Sequence, residues 1–533
     1  MDLRLDLAGP LDVRPLDHFW SRVVGAGRAN EGLRADWQRQ LVTARELGGF
    51  RYLRFHGLFH GDMFVYREVD GVVQPYFQYV DLLFDAILEA GMRPFVEFGF
   101  SPPELARERA TVFWWGANGS PPTDYAKWAQ LVRATVEHWV ARYGLDEVRE
   151  WYFEVWNEPN LAPFFRGTKS EYFELYRVSV EAIRSVDASL RVGGPATSNF
   201  VPDTRFDGET EDLSQHEVVL TAENLDALDW KPVWLDDFLA FCAADALPVD
   251  FVSCHPYPTD WALDEHSQGR KLTRGVDATP TDLRTLRALV DASAYPDAEI
   301  HLTEWNSSSS PRDYTHDYPQ AAAYVVKANL ESLGLVDSLA YWTFTDVFEE
   351  SGAGQEPFHG GFGMLSQHGI PKPTMHAYRM LGALGDELLL QRGGAVVTRH
   401  SGTGDLAAVL YHYPDEVVLT VPGSFDTRDA ADRTLATGST LPVSIRIEGL
   451  PPRTAYRLEV VDADHGSAMA EWERLGSPLN LSRADAATLR AKAAGGAVEE
   501  FTTSEEGVLD VRATLRPWSV ALLARSGVEG LRD

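Results

Sequence analysis

Residues 151–159 read WYFEVWNEP, a short apolar run that ends in Asn157, Glu158 and Pro159. The run predicts a buried strand over 151–156, because it is short and rich in strand-forming aromatic residues. Proline lacks an amide donor, so Pro159 stops the strand and fixes the turn that carries Glu158. The polar residues therefore follow directly at the carboxyl end of the strand.

Seven similar runs flank this one and alternate with longer amphipathic stretches. The eight predicted strands are 20–26, 51–56, 93–99, 151–156, 190–195, 249–254, 299–304 and 338–344. Apolar residues recur every three or four positions, as is typical of helices, in 33–47, 122–143, 170–186 and 319–334. Eight strands that alternate with helices predict an α/β fold, a closed parallel (β/α)8 TIM barrel, rather than a doubly wound sheet.

Beyond about residue 378 the sequence consists of short β-rich segments separated by glycine, proline and aspartate. These segments predict an antiparallel β-sandwich with strands at 395–400, 406–413, 416–421, 442–447, 456–461 and 516–524. The stretch 482–494 predicts a helical insertion, and the N-terminal DLRLDL is expected to add a strand to the sandwich. The predicted domains are a catalytic barrel over 14–377 and an accessory β-sandwich over 1–13 plus 378–533.

Charge and composition restrict the partners of the 533-residue chain. It carries 48 Lys and Arg against 79 Asp and Glu, a formal net charge of −31. Such a surface repels phosphate backbones and anionic lipid headgroups, so we expect neither nucleic-acid nor membrane partners. The first residues lack the apolar core of a secretory signal, and Cys242 and Cys254 are interpreted as reduced thiols. Together these features favour a cytoplasmic protein.

Two predicted strands end in a glutamate. Glu158 ends the fourth strand, and Glu304, within HLTEWN (301–306), ends the seventh. The strand ends of a barrel converge at one face, where the chemistry of such folds takes place. Cleavage of a glycosidic bond needs a carboxylic acid pair, one to protonate the leaving group and one to stabilise the anomeric centre. Glu158 and Glu304 are therefore the predicted catalytic residues.

The neighbours of this pair suit the same chemistry. Asn157 can hydrogen-bond a sugar 2-hydroxyl, a contact that strengthens in the transition state. The indole rings of Trp156, Trp305 and Trp342 are expected to wall the site, where they would raise the pKa of an acid by desolvation and stack on a pyranose.

The motifs around these residues resemble glycoside hydrolase family 39, particularly its bacterial β-xylosidases. They cover nearly the whole predicted barrel: HFW (18–20), VGAGRA (24–29), RFHGLF (54–59), RPFVEFGFSP (93–102), WYFEVWNEPNL (151–161), RVGGPAT (191–197), PVDFVSCHPYP (248–258), HLTEWN (301–306), YWTFTDVFEE (341–350) and FHGGFGML (358–365).

The resemblance implies a retaining, exo-acting glycosidase that needs no cofactor or metal and releases β-D-xylose from the non-reducing end of xylo-oligosaccharides or aryl xylosides. It implies Glu158 as acid/base and Glu304 as nucleophile. It places His255 and Tyr257 beside the nucleophile and Trp342 beneath the terminal sugar. The residues that it assigns to sugar hydroxyls are Asn157, Glu349, Glu350, His56 and Asp62.

The chain departs from the family pattern in two places. After RFHG, where xylosidases place adjacent acidic residues, it reads His60-Gly61-Asp62, so that only Asp62 matches. The segment 204–230 is predicted to be an insertion before the sixth strand. Both departures bear on the preference for leaving group and chain length.

Several alternatives stay open at this point. The same mechanism serves α-L-arabinosides, β-glucosides and uronides. A metal-dependent barrel hydrolase would use His56, His60, Asp62 and His255, although such sites usually need a tighter ligand set, such as an H-x-H pair on the first strand. A non-catalytic sugar-binding protein is a third reading, and the sequence allows either a monomer or a homo-oligomer.

Overall fold

The computed structural model describes residues 1–202, 229–263, 269–418, 421 and 427–527. Eight parallel strands close into a barrel in chain order, and the eighth strand pairs with the first through Tyr341 and Val24. The barrel strands are Val23–Arg28, Tyr52–His56, Arg93–Phe98, Tyr152–Val155, Arg191–Ser198, Phe251–His255, Glu299–Trp305 and Ser338–Tyr341. The predicted TIM barrel is confirmed, with strand ends shifted by a few residues.

A helix follows each barrel strand and packs outside it. These helices are Ala35–Gly48, Gln78–Glu89, Tyr125–Tyr143, Lys169–Val186, Leu235–Ala244, Ala278–Ala292, Pro319–Glu331 and Pro373–Gly382. Local sequence explains several of the ends. The Asp124 side chain accepts hydrogen bonds from the amides of Ala126 and Lys127, and Thr168 with Glu171 forms a capping box.

Two further sheets form the accessory part of the chain. A seven-stranded sheet consists, in spatial order, of Arg14–Pro15, Glu387–Arg392, Ala395–Arg399, Leu406–Tyr411, Val520–Arg525, Ala455–Val461 and Ala497–Thr502. A three-stranded sheet consists of Asp2–Asp6, Leu441–Glu448 and Leu509–Leu515. Leu3 and Ile445 of the small sheet share one apolar core with Val397 and Leu523 of the large one. The N-terminal segment adds a strand, as expected, but it runs parallel to its partner.

One predicted strand of the sandwich is absent from the described residues. The stretch 416–421 begins in a 3-10 turn, Asp415–Val417, and positions 419–420 lie outside the described part of the chain. Its β-branched residues favour a strand, but both edges of the preceding Leu406–Tyr411 are already paired. The described ends of the stretch bond instead to the loop before the sixth barrel helix: the Val276 amide donates to the Val418 carbonyl at 3.2 Å, and the Val421 amide donates to the Arg274 carbonyl at 2.9 Å.

The accessory part packs against the barrel through its large sheet and through its helices. Val409 and Leu522 of the large sheet join the core of the barrel helices, next to Tyr378. The helices Arg428–Leu435, Met469–Arg474 and Arg483–Lys492 pack against the loops after the seventh and eighth barrel strands, where Trp472 meets Phe358. The last of these helices matches the insertion predicted at 482–494.

The predicted domain boundaries stay a prediction, and the helix Pro373–Gly382 crosses position 377. The predicted insertion at 204–230 lies outside the described residues, apart from its last two positions. Cys242 and Cys254 are buried free thiols. Among the described helices, none has the length and apolar character that a membrane span requires.

Candidate active site

A pocket of about 200 Å³ opens at the carboxyl ends of the barrel strands. Seven of the predicted site residues line it: His56, Asn157, Glu158, Tyr257, Glu304, Trp342 and Glu350. The others that line it were not predicted and come mostly from loops: Phe113, Leu161, Phe164, Ser198, Asn199, Ser309 and Phe362. His255 is fully buried and contacts Glu158 from behind.

Glu158 and Glu304 face each other across this pocket. One carboxylate oxygen of each lies within 4.8 Å of the other, and a ring nitrogen of His255 lies within the same distance of both. Retaining glycosidases hold their carboxyl groups about 5 to 5.5 Å apart, whereas inverting enzymes leave about 6.5 to 9.5 Å for a water molecule. The spacing therefore fits a covalent intermediate.

A strained turn presents Glu158. Both Trp156, with φ 73°, and Glu158, with φ 47°, adopt the left-handed conformation that side chains rarely tolerate. The Glu158 amide donates to the carbonyl of Ala196 on the next strand at 2.9 Å, which holds the turn. Strain of this kind persists where the surrounding structure fixes it, and it is concentrated at functional sites.

Three donors converge on the Glu304 carboxylate. Arg54 Nη1 lies 2.7 Å and His56 Nε2 3.2 Å from Oε1, and the Tyr257 hydroxyl donates to Oε2 at 3.1 Å. Burial alone would raise the pKa of Glu304, but the neighbouring His255, His56 and Arg54 outweigh it and hold that pKa well below its usual range. Glu304 is therefore an ionised carboxylate, as a nucleophile must be.

Arg54 is the centre of a buried polar network that the sequence reading missed. Its guanidinium bonds Glu154 Oε2 at 2.6 Å, Glu97 Oε2 at 3.0 Å and Asn157 Oδ1 at 2.9 Å, in addition to Glu304. Because the Asn157 oxygen is occupied, its amide N–H groups remain to donate to a ligand. Charged residues inside apolar strand runs were the signal that could have revealed this network.

His56 carries a positive charge at neutral pH. Burial would lower its pKa, but Glu97, whose carboxylate lies 2.5 Å from Nδ1, and Glu304 raise the pKa of His56 to about 10. The imidazolium thus bridges two carboxylates and adds to the positive potential at Glu304.

Glu158 is held by a buried chain of hydrogen bonds through His255 and Thr303. The Thr303 hydroxyl donates to Glu154 at 2.7 Å, so its oxygen is left to accept from His255 Nε2 at 2.9 Å. His255 Nδ1 lies 3.0 Å from Glu158 Oε1, so the ring fixes the position of this carboxyl group.

Two predicted sugar contacts lie outside the pocket lining. Arg28 binds Asp62 at 2.5 Å and Glu349 at 3.0 Å, and Arg34 binds the second oxygen of Glu349 at 2.6 Å. His60 contacts Asp62 as well, at 2.7 Å. Their role toward sugar hydroxyls stays a prediction.

The expectation that Trp156 and Trp305 wall the site is wrong. Trp156 donates to the carbonyl of Phe164 from a fully buried position, and Trp305 donates to Thr279 behind the strand. Successive residues of a strand point to opposite faces, so Glu304 facing the pocket sends Trp305 toward the helices. Of the three tryptophans, Trp342 lines the pocket.

Among the described residues, one group of side chains lies close enough together to hold a metal ion: Glu158, His255 and Glu304. The residues that a metal-dependent hydrolase would use are not brought together in this group, because His60 contacts Asp62 and Asp62 is bound by Arg28. The donors from Arg54, His56 and Tyr257 already occupy lone pairs of Glu304. The group therefore fits a hydrogen-bonded carboxylate pair better than a metal site.

A closed parallel barrel with two facing carboxyl groups at its mouth defines the chain as a barrel glycoside hydrolase of the retaining type. Residues 3–509 match the model of the glycosyl hydrolases family 39, and the chain belongs to that family. The family assignment made from the sequence motifs is therefore confirmed.

Several relatives are similar over most of their length. The chain is 37% identical to a beta-xylosidase of Geobacillus stearothermophilus over 96% of this chain and 93% of that protein. It is also 37% identical to a beta-xylosidase of Caldicellulosiruptor saccharolyticus, over 88% of this chain and 87% of that protein. The solved structure of a monomeric beta-xylosidase from Caulobacter crescentus CB15 matches with TM-score 0.80 and 33% identity, covering 98% of this chain and 99% of that one.

Removing the charge of His56 is expected to move the acid limb of the pH profile. His56→Gln keeps a neutral donor but loses a cation that lowers the pKa of Glu304. That pKa then rises, so the acid limb of kcat/KM shifts to higher pH, by about one unit for each ~1.4 kcal/mol of lost interaction. Rates from about pH 3 to about pH 8 measure the shift. An unmoved limb would show that the His56 charge does not act on Glu304.

Proposed function

We propose that this chain is a retaining, exo-acting β-xylosidase that releases D-xylose from the non-reducing end of xylo-oligosaccharides and aryl xylosides. The observation that carries the proposal is the approach of the Glu158 and Glu304 carboxylates to within 4.8 Å. The two beta-xylosidases named above are similar to this chain over nearly their full length, and this similarity supports xylose as the sugar.

In the first step, Glu304 Oε2 or Oε1 attacks the anomeric carbon, and the bond to the leaving oxygen breaks. Glu158 gives its proton to that oxygen, so the leaving group departs as a neutral alcohol. Asn157 donates to the 2-hydroxyl, a contact that strengthens as positive charge develops on the ring. Arg54 and Tyr257 orient the attacking carboxylate through the hydrogen bonds described above.

In the second step, the ionised Glu158 takes a proton from water, and the oxygen of that water attacks the anomeric carbon. The bond to Glu304 breaks, so the sugar leaves with its original β configuration. His255 keeps Glu158 in place in both steps, because one ring nitrogen contacts Glu158 Oε1 and the other contacts the Thr303 hydroxyl.

The pocket has the shape expected for attack at a chain end. The Trp114 amide donates to the Glu350 carbonyl at 2.7 Å, and Arg312 donates to the Gly352 carbonyl at 3.2 Å. These bonds tie together the loops after the third, seventh and eighth strands next to Glu350 of the pocket lining. A volume of about 200 Å³ is below the 300–1,000 Å³ of typical ligand sites, which favours a single terminal sugar.

The charges of the pocket favour a neutral sugar over a uronide. Among the described residues that line it there is no lysine or arginine to pair with a sugar carboxylate. Burial, together with the charge of the nearby Glu304, raises the pKa of Glu350 well above its usual value. The raised pKa favours the protonated form, which can donate to a hydroxyl group.

The proposal extends to partners and location. The partner is a small oligosaccharide or glycoside that binds in the pocket. The two buried free thiols suit the reducing cytoplasm, which we propose as the location.

A panel of aryl glycosides tests the proposal. We expect kcat/KM for an aryl β-D-xyloside to exceed that for the α-L-arabinoside, β-D-glucoside and β-D-glucuronide by at least about tenfold. A difference of one or two substituents on the sugar typically changes kcat/KM by this much. Proton NMR early in the reaction should show β-xylose before mutarotation. Initial release of the α anomer would contradict retention, and preference for another glycoside would overturn the choice of sugar.

A further inference from the structure

The glycine-rich turn 359–363 (HGGFG), after the eighth barrel strand, is anchored by a buried lysine. The Lys372 ammonium lies 2.8 Å from Asp317 Oδ1 and 2.6 Å from Asp346 Oδ2, and it donates to the Gly361 carbonyl at 2.9 Å. The ammonium group is therefore ion-paired with both carboxylates and hydrogen-bonded to the backbone of the turn. The lysine side chain is fully buried between the two carboxylates.

The same two carboxylates hold the backbone of the turn. The Gly360 amide donates to Asp317 Oδ2 at 2.7 Å, and the Gly363 amide donates to Asp346 Oδ1 at 2.7 Å. A Cβ atom at Gly363 would lie 2.3 Å from the Asp346 amide nitrogen, so a larger residue cannot replace this glycine without moving the contact. Lys372, its two carboxylates and the turn therefore form one rigid unit.

This unit reaches the sugar pocket through Phe362. That residue lines the pocket and packs edge-on against Phe348 at 5.6 Å between ring centroids, and Phe348 packs in the same way against Trp342 at 6.0 Å. The Met364 amide also donates to the Thr343 carbonyl, directly after Trp342, at 3.0 Å. A shift of the turn would therefore displace two aromatic walls of the pocket.

We propose that Lys372 is a positioning residue for the sugar pocket: with Asp317 and Asp346 it holds the 359–363 turn so that Phe362 and Trp342 stay against the terminal sugar. Lys372 does not line the pocket and touches no reacting group. Apolar residues of similar volume often replace buried ion pairs without loss of stability, so an ion triad here is best explained by the geometry it imposes. The inference rests on the proposed function, because the pocket it shapes is the one that binds the terminal sugar.

The test removes the ammonium without leaving buried charge. Lys372→Met alone would strand two buried carboxylates, so it is combined with Asp317→Asn and Asp346→Asn, which keep the side-chain volumes and an acceptor for each glycine amide. Apparent affinity falls with the fraction of molecules in the competent arrangement. We therefore expect KM for an aryl xyloside and the inhibition constant of free xylose to rise together by about tenfold, while kcat changes less than about threefold.

A second variant tests the inference if the triple variant does not fold. Asp346→Asn alone leaves Lys372 paired with Asp317, and we expect a smaller rise of both constants, about threefold, in the same direction. All rates are scaled to the active fraction by titration with a mechanism-based fluorosugar, so that loss of folded protein is not counted as loss of affinity.

The matched control removes a different buried ion pair. Arg379 and Glu459 lie 2.6 Å apart, with side chains 6% and 8% exposed and outside the pocket lining. Arg379→Met with Glu459→Gln should leave KM and the inhibition constant unchanged. Unchanged constants in the Lys372 and Asp346 variants, or a fall in kcat alone, would overturn the inference. If the wild type prefers another glycoside, the proposed substrate fails, but the same comparison on that sugar still tests Lys372.

Discussion

Glu304→Ala is expected to lower kcat by at least about 10⁴-fold on every glycoside, whatever the leaving group, because no covalent intermediate can form. The third acid of the pocket, Glu350, is a poor replacement, because burial raises its pKa and so disfavours the ionised form that a nucleophile needs. The isosteric Glu304→Gln should be equally inactive and retains an acceptor for Arg54, so it separates chemistry from folding. A control on the same strand, Glu299→Gln, breaks contacts with Arg22 and Tyr152 at the far end and should keep activity.

Azide distinguishes the nucleophile from any other essential residue. In Glu304→Ala the removed side chain leaves space on that face of the sugar, where azide can attack the anomeric carbon while Glu158 protonates the leaving oxygen. A single displacement inverts the centre, so an aryl β-xyloside should yield the α-glycosyl azide. Proton NMR identifies the anomer. A β-glycosyl azide from this variant would show that the two roles are exchanged.

The barrel and the two facing glutamates could be predicted because both are encoded in local patterns. The strand Glu299–Trp305 and the strand Tyr152–Val155 are short apolar runs that stop at polar residues, and the fold brings such ends together. Glu158 and Glu304 were recognisable for that reason, although they are distant in sequence.

The rest of the site depends on which strands become neighbours. Arg54, Glu97 and Glu154 lie on the second, third and fourth strands, and their mutual contacts exist only once the barrel closes. Phe113 and Phe164 come from loops, whose conformation no periodicity encodes. The contacts of Lys372 could not be predicted for the same reason, because Asp317 and Asp346 follow different barrel strands.

Glu158→Ala is expected to affect substrates according to their leaving group. A poor leaving group, such as the second sugar of a xylo-oligosaccharide, needs a proton to depart, so kcat/KM should fall by about 10³- to 10⁴-fold. An activated aryl xyloside departs without that proton, so its glycosylation step should slow by less than about tenfold. Deglycosylation lacks its base and becomes rate-limiting, which should appear as a burst of released phenol. Equal losses on both substrates would contradict the assignment of Glu158.

Azide should rescue this variant with the opposite stereochemistry. The glycosyl-enzyme on Glu304 still forms, and azide can enter the space vacated beside His255 and attack the anomeric carbon without a general base. Two successive inversions give the β-glycosyl azide, in contrast to the α product expected from Glu304→Ala. Glu158→Gln fills the same space with a neutral side chain, so it should share the burst but show little rescue. Azide then yields the α anomer when Glu304 is missing and the β anomer when Glu158 is missing. The two experiments therefore assign one face of the sugar to each glutamate, whatever the identity of the sugar.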